Sequence, residues 1–286
     1  MIPRRRWLRF LALTGLVASL VLGLGVSAQA PGWVGIDPLT GPRSRLSDRK
    51  DWIGSRPLPQ TVDILLMAGH ADSQNMPGAG TPGEAVALRG APPMQPGIRD
   101  ELYWNLVTAQ AVEALGRQRG LAIRFYDPLV RTIPDGDDPR TNWSVGRRHA
   151  GAGGYALEIH DDAYGPDGVG SGLIPPLHQH PSRIDESLAQ AFGAYPLRYR
   201  DGLGAPRRGI AMLEIGKLEG TLEAALRDPN RRQTTINAIA TRVVDGIERG
   251  LGRTPALADG QQPLAAAEGS SGPGFSPQPG GARSAP

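Results

Sequence analysis

The 286-residue chain contains no cysteine. That excludes disulfides, thiolate nucleophiles and cysteine-ligated zinc or iron–sulfur centres, so a metal here must rest on histidine and carboxylate. Lysine is almost missing too: Lys50 and Lys217 are the only two, and the remaining cations are arginines. The net charge is only +3, and no basic stripe with interleaved aromatics appears, which speaks against a nucleic-acid partner. No glycine-rich phosphate loop opens a helix: Gly78–Ala79–Gly80 sits inside a Pro-rich stretch. No Gly-x-Ser-x-Gly elbow is present, which sets aside serine hydrolysis. What is abundant is glycine and proline, 39 and 27 residues, and these imply many turns between short elements rather than one helical bundle.

The ends of the chain differ from its middle. Arg4, Arg5, Arg6 and Arg9 precede an uncharged apolar stretch over 10–28, and Val26–Ser27–Ala28 and Ala28–Gln29–Ala30 are small-residue cleavage sites. Residues 1–30 therefore read as a signal peptide or, uncleaved, as a membrane anchor, the one membrane contact expected. The arginines resemble a twin-arginine signal, although a plain Sec signal is simpler. Either route predicts a periplasmic or extracytoplasmic location. Residues 31–60 read as a linker or packed arm. Residues 61–253 read as the catalytic domain. Residues 254–286 are rich in Ala, Gly, Pro and Ser and read as a disordered tail.

Within the middle, apolar runs over 62–68, 121–126, 155–159 and 209–213 predict strands. Helical spacing predicts helices over 98–120, 142–149, 182–192 and 219–227. A longer one carries Ile236, Ala240, Val243, Ile247 and Leu251 on one stripe. Ser182 is a candidate N-cap. The alternation predicts an α/β domain, a three-layer α/β/α sandwich with a mainly parallel central sheet.

Three of the runs finish on chemistry. The first leads through Gly69 into His70, the third into His160 and the last into Glu214, while Glu101 lies in the first turn of the helix between. In a parallel sheet these positions converge beyond the carboxyl ends of the strands. Two His and one Glu on a metal, with a second Glu free to move protons, make up a catalytic zinc site. Asp63 and Glu158 read as sheet-edge or alternate-face charges. His178 and His180 read as a polar loop, and the acidic stretch 134–139 as a solvated turn, since its spacing is not that of an EF-hand. The long loop 71–97 lies between two proposed ligands and reads as a wall of the site.

The order and context of these motifs resemble the zinc-dependent N-acetylmuramoyl-L-alanine amidases of the type that carries a Gly-His after its first strand. The matching segments are Met67–Ala68–Gly69–His70, Glu101–Leu102–Tyr103–Trp104–Asn105–Leu106, Glu158–Ile159–His160 and Leu213–Glu214–Ile215–Gly216. The resemblance spans residues 62–251. It implies an α/β/α fold, Zn²⁺ on His70, Glu101 and His160, and Glu214 as the catalytic base. It also implies a peptidoglycan or muropeptide substrate, cut between N-acetylmuramic acid and L-alanine, and an activator protein as a further partner. Ala71–Asp72 stands where the family has Gly-Gly, and Asp161–Asp162 stands where it has a small residue and Asn. A zinc peptidase or amidohydrolase acting on another amide, and a non-hydrolytic wall-binding protein, are the alternatives.

Overall fold

The structure, a computed structural model, describes residues 36–255. The expected export segment and nearly all of the expected tail lie outside them. Thirteen short elements follow one another. A two-stranded hairpin pairs β1 (Ile36–Asp37) with β2 (Gly41–Pro42). Then come β3 (Ile64–Ala68), α1 (Glu84–Ala87), α2 (Asp100–Gln118), β4 (Ile123–Tyr126) and α3 (Asn142–Gly151). They are followed by β5 (Tyr155–Asp162), β6 (Gly172–Ile174), α4 (Arg183–Phe192), β7 (Ala211–Lys217), α5 (Gly220–Arg227) and α6 (Arg232–Gly250).

One five-stranded sheet orders these as β4-β3-β5-β7-β6. Its first four strands are parallel and β6 runs antiparallel at the edge. Strand β3 is apolar throughout because both of its faces are covered. Ile64 and Leu66 face a large core built with Trp104 and Val112 of α2, Leu188 of α4 and Val243 of α6. Leu65 and Met67 face the opposite layer, with Ala150 of α3 and Ile210 and Met212. Each large side chain buried in this way contributes on the order of 1.5–3 kcal/mol. The three layers match the expected architecture.

The helices start for local reasons. Ser182 accepts from the Asp185 amide while Asp185 Oδ2 accepts from the Ser182 amide, a closed capping box that starts α4. Thr141 accepts from the Ser144 amide at the start of α3. Helix α2 has no side-chain cap; instead the Glu101 amide donates to the Thr81 carbonyl at 3.2 Å. The loop 71–97 thus replaces a capping side chain at the end of α2 that carries Glu101. It is itself tied down: the Arg227 guanidinium of α5 donates to the Pro92 carbonyl, and Glu223 Oε2 accepts from the Ala85 amide at 3.0 Å.

Two expectations need correction. The strands carrying His160 and Glu214 do not end there: β5 continues to Asp162 and β7 to Lys217. His160 and Glu214 sit side by side inside the sheet, as register partners, and the pairing slips just beyond them between His160 and Asp162. An irregularity at that point re-aims the following residues. Strand β6 was not expected at all. It is three residues long, in a Gly- and Pro-rich stretch, and the ladder to β7 rather than any local pattern creates it.

Candidate metal centre

His70 follows β3 after Gly69 and adopts a left-handed backbone, φ 63°. For a residue other than glycine that conformation costs about 1–2 kcal/mol. It turns the imidazole back over the strand end, where Nε2 lies 3.1 Å from Glu101 Oε1. Glu101 reaches the same point from the first turn of α2. Its other oxygen, Oε2, accepts from the Thr81 amide at 2.6 Å. His160 on β5 places Nδ1 3.3 Å from Glu101 Oε1. One ligand atom from each of the three residues lies within 4.8 Å of the others. The two rings meet edge to face with centroids 4.9 Å apart.

Two glycines make the room. A Cβ on Gly69 would clash with the His160 ring, 2.2 Å from Cε1. A Cβ on Gly80, whose φ is +86°, would come within 2.6 Å of Glu101 Oε2 and 3.0 Å of the His70 ring. Asn105, one turn further along α2, donates to the Gly69 carbonyl at 3.1 Å and fixes the His70 loop against the helix. Asp72 accepts from the Asn142 amide at 2.7 Å and ties the same loop to the start of α3.

The surroundings are acidic. Glu214 is the register neighbour of His160 across β5 and β7, and its Oε2 is buried without a hydrogen-bond partner. Asp161 is buried, with Oδ1 likewise unpaired. Glu158 is buried against the far side of the imidazole, 3.3 Å from His160 Nε2. The reading of Glu158 as an alternate-face charge is therefore wrong: residues two apart on a strand share a face, and that spacing was the available signal. Asp162 turns away to accept from the amides of Ala163, Val169 and Gly170. Asp63 lies at the other end of β3, paired with Arg124. His178 and His180 are exposed on a loop, as expected.

The protonation pattern follows from this crowding. Burial and then the nearby charges of Asp162 and Glu101 push Glu214 well above the usual carboxylate range, against the pull of His160. Burial and the Glu101 charge do the same to Asp161. Burial works against the charged form of Glu101, yet the two imidazoles hold its carboxyl far below the ordinary value. Burial disfavours a charged His160, but the hydrogen bonds to Glu101 and Glu158 raise it well above the usual imidazole range.

Do these residues suit a metal ion? A neutral imidazole has one donor and one acceptor nitrogen. His160 faces carboxylates on both sides, so it must either carry an extra proton or give one nitrogen to a cation. Among the described residues, no Arg or Lys pairs with Glu101, Glu158, Asp161 or Glu214. Buried carboxylates without a cation are costly. The two-nitrogen, one-oxygen donor set of His70, Glu101 and His160 fits zinc and leaves a fourth position open.

No family model matches the chain, and no curated protein matches it by sequence. Solved structures of similar fold include three N-acetylmuramoyl-L-alanine amidases. The catalytic domain of CwlV from Bacillus (Paenibacillus) polymyxa var. colistinus is 16% identical, covers 67% of this chain and 98% of its own, and has a TM-score of 0.45. AmiC2 of Nostoc punctiforme is 15% identical, covers 68% and 99%, and scores 0.43. The apo form of Ami1 from Mycobacterium abscessus is 17% identical, covers 70% and 100%, and scores 0.42.

Proposed function

We propose that the chain is an exported zinc-dependent hydrolase that cleaves the amide between N-acetylmuramic acid and L-alanine in peptidoglycan. The observation that carries this reading is the meeting of His70, Glu101 and His160 beside Glu214, whose Oε2 is buried and unpartnered. The motif resemblance supplies the substrate. The basic and apolar N-terminal sequence supplies the extracytoplasmic location, where that polymer is met.

Bound by His70, Glu101 and His160, zinc would supply Lewis acidity, polarising an amide carbonyl and acidifying water. The chain does the rest. Glu214 accepts the proton of the attacking water at Oε2 and delivers it to the leaving nitrogen. The Thr81 amide holds Glu101 so that only Oε1 faces the two rings. The rigid pairing of β5 with β7 fixes the spacing between His160 and Glu214.

The test is metal content of the full chain together with peptide release from purified peptidoglycan. One zinc per chain and a new L-alanine amino terminus are expected. Glu214→Gln should keep the zinc and lose hydrolysis by a factor of roughly 10² to 10⁴. Zinc with no release from peptidoglycan or muropeptides would move the substrate to another amide. A chain that takes up no zinc would overturn the whole reading.

A further inference from the structure

Glu158 is a buried acid that the proposed reaction does not use. It lies on β5, between β3 and β7 in the middle of the sheet, where the backbone has least freedom. It is 2% exposed, and no Arg or Lys pairs with it among the described residues. Its hydrogen-bond partner is His160: Oε2 lies 3.3 Å from Nε2. The opposite ring nitrogen, Nδ1, is the one that faces Glu101 Oε1. The ring is further fixed by the Gly69 backbone, which leaves no space for a Cβ beside it, and by the edge of His70.

An imidazole that gives a lone pair to a metal from one nitrogen carries its proton on the other. That N–H needs an acceptor, and an acceptor that is itself anionic both fixes the tautomer and makes the ligating nitrogen a better donor. We infer that Glu158 is a positioning residue for the metal centre: it accepts the Nε2 proton of His160, aims the ring, and commits Nδ1 to the ion. The inference rests on His160 being a zinc ligand. It explains why a carboxylate stands buried two residues before His160, on the same face, with no cation of its own. Nothing about the reacting amide enters it, because Glu158 lies across the ring from the ligand cluster.

The full chain is loaded with zinc, and the dissociation constant is measured by competition with a chromophoric chelator for the unsubstituted protein, Glu158→Gln and Glu158→Ala. The melting temperatures of the zinc-free forms are recorded alongside. Glu158→Ala should weaken zinc binding by about 10- to 100-fold. Glu158→Gln, whose amide oxygen still accepts, should recover part of that loss, and neither change should follow the melting temperatures. In the zinc-loaded unsubstituted protein, long-range ¹H–¹⁵N spectra should show the His160 proton on Nε2. A proton on Nδ1 overturns the assignment without any variant having to fold. So does a folded Glu158→Ala that binds zinc within twofold of the unsubstituted protein. If the unsubstituted protein itself takes up no zinc, the ligand set fails, and the role of Glu158 fails with it. Retained binding with an indifferent Glu158 leaves the ligand set standing.

Discussion

The sheet has a buried histidine at each end, and the two are held in opposite ways. His149, in the last turn of α3, sits beside the amino end of β3. Its Nε2 lies 2.9 Å from the Asp63 carbonyl, and its Nδ1 lies 3.3 Å from the Arg124 guanidinium. One nitrogen donates, the other accepts, and a neutral ring is fully satisfied. A concavity opens there as well, lined by Pro59, Asp63, His149 and Gly154. His160, near the carboxyl end of β5, instead faces Glu101 and Glu158 and has Glu214 beside it in the sheet. A neutral ring cannot satisfy that position. Burial does not separate the two ends, for both histidines are buried. What separates them is whether the hydrogen-bond roles close among the protein's own groups.

The comparison breaks most sharply at the histidines themselves. His160→Ala should abolish stoichiometric zinc binding and hydrolysis. His149→Ala should keep both and cost about 1–3 kcal/mol, the desolvation penalty of the partners it leaves unpaired. Paired metal analysis and thermal melts check this, and loss of zinc in the His149 variant would erase the contrast. Next in size, stripping the metal should destabilise one end only. At free zinc about 100 times its dissociation constant, binding adds roughly 2.7 kcal/mol. For a domain of this size that is a fall in Tm of about 5–10 °C on adding a chelator. An unchanged Tm would show that the acidic end is stable without an ion. Smaller again is the room around the ring. Gly69→Ala should displace His160 and weaken zinc by about tenfold or more at an overpacking cost of about 1–3 kcal/mol, read by chelator competition beside a melt. The smallest effect lies between the two ends: Thr141→Ala removes the cap of α3 for about 1 kcal/mol and should leave zinc affinity alone.

The parts of this molecule that follow from local rules were legible from the amino-acid order. The apolar run ending at Ala68 and the Ser182 cap each produce their element from residues adjacent in the chain. His70, Glu101 and His160 could be singled out because each borders an apolar run or a helix start in the sequence, and the structure brings the three together. Strand β6 could not be read, since its three residues are a strand only because β7 lies beside them. The hold on Glu101 was equally hidden, because it comes from the backbone amide of Thr81, which any residue type except proline would supply. Glu158 was open to inspection: an acid within an apolar run reads as a sheet-edge or alternate-face charge, but its spacing of two from His160 sets it on the same face.

The two oxygens of Glu101 answer to different masters. Oε1 faces the imidazoles, and Oε2 belongs to the loop through the Thr81 amide. Both require the same rotamer, so either partner that sets it prepares the carboxylate for the other. On the proposed zinc reading, ion binding and the hold of the Thr81 amide on Glu101 are linked quantities: whatever factor one adds to the other, it receives in return. The loop is also anchored to α5, through Glu223 to the Ala85 amide and Arg227 to the Pro92 carbonyl, and α5 follows the strand that carries Glu214. If zinc binds as proposed, amide exchange at Thr81 should slow on its addition, so a backbone proton of the loop would report on the ion.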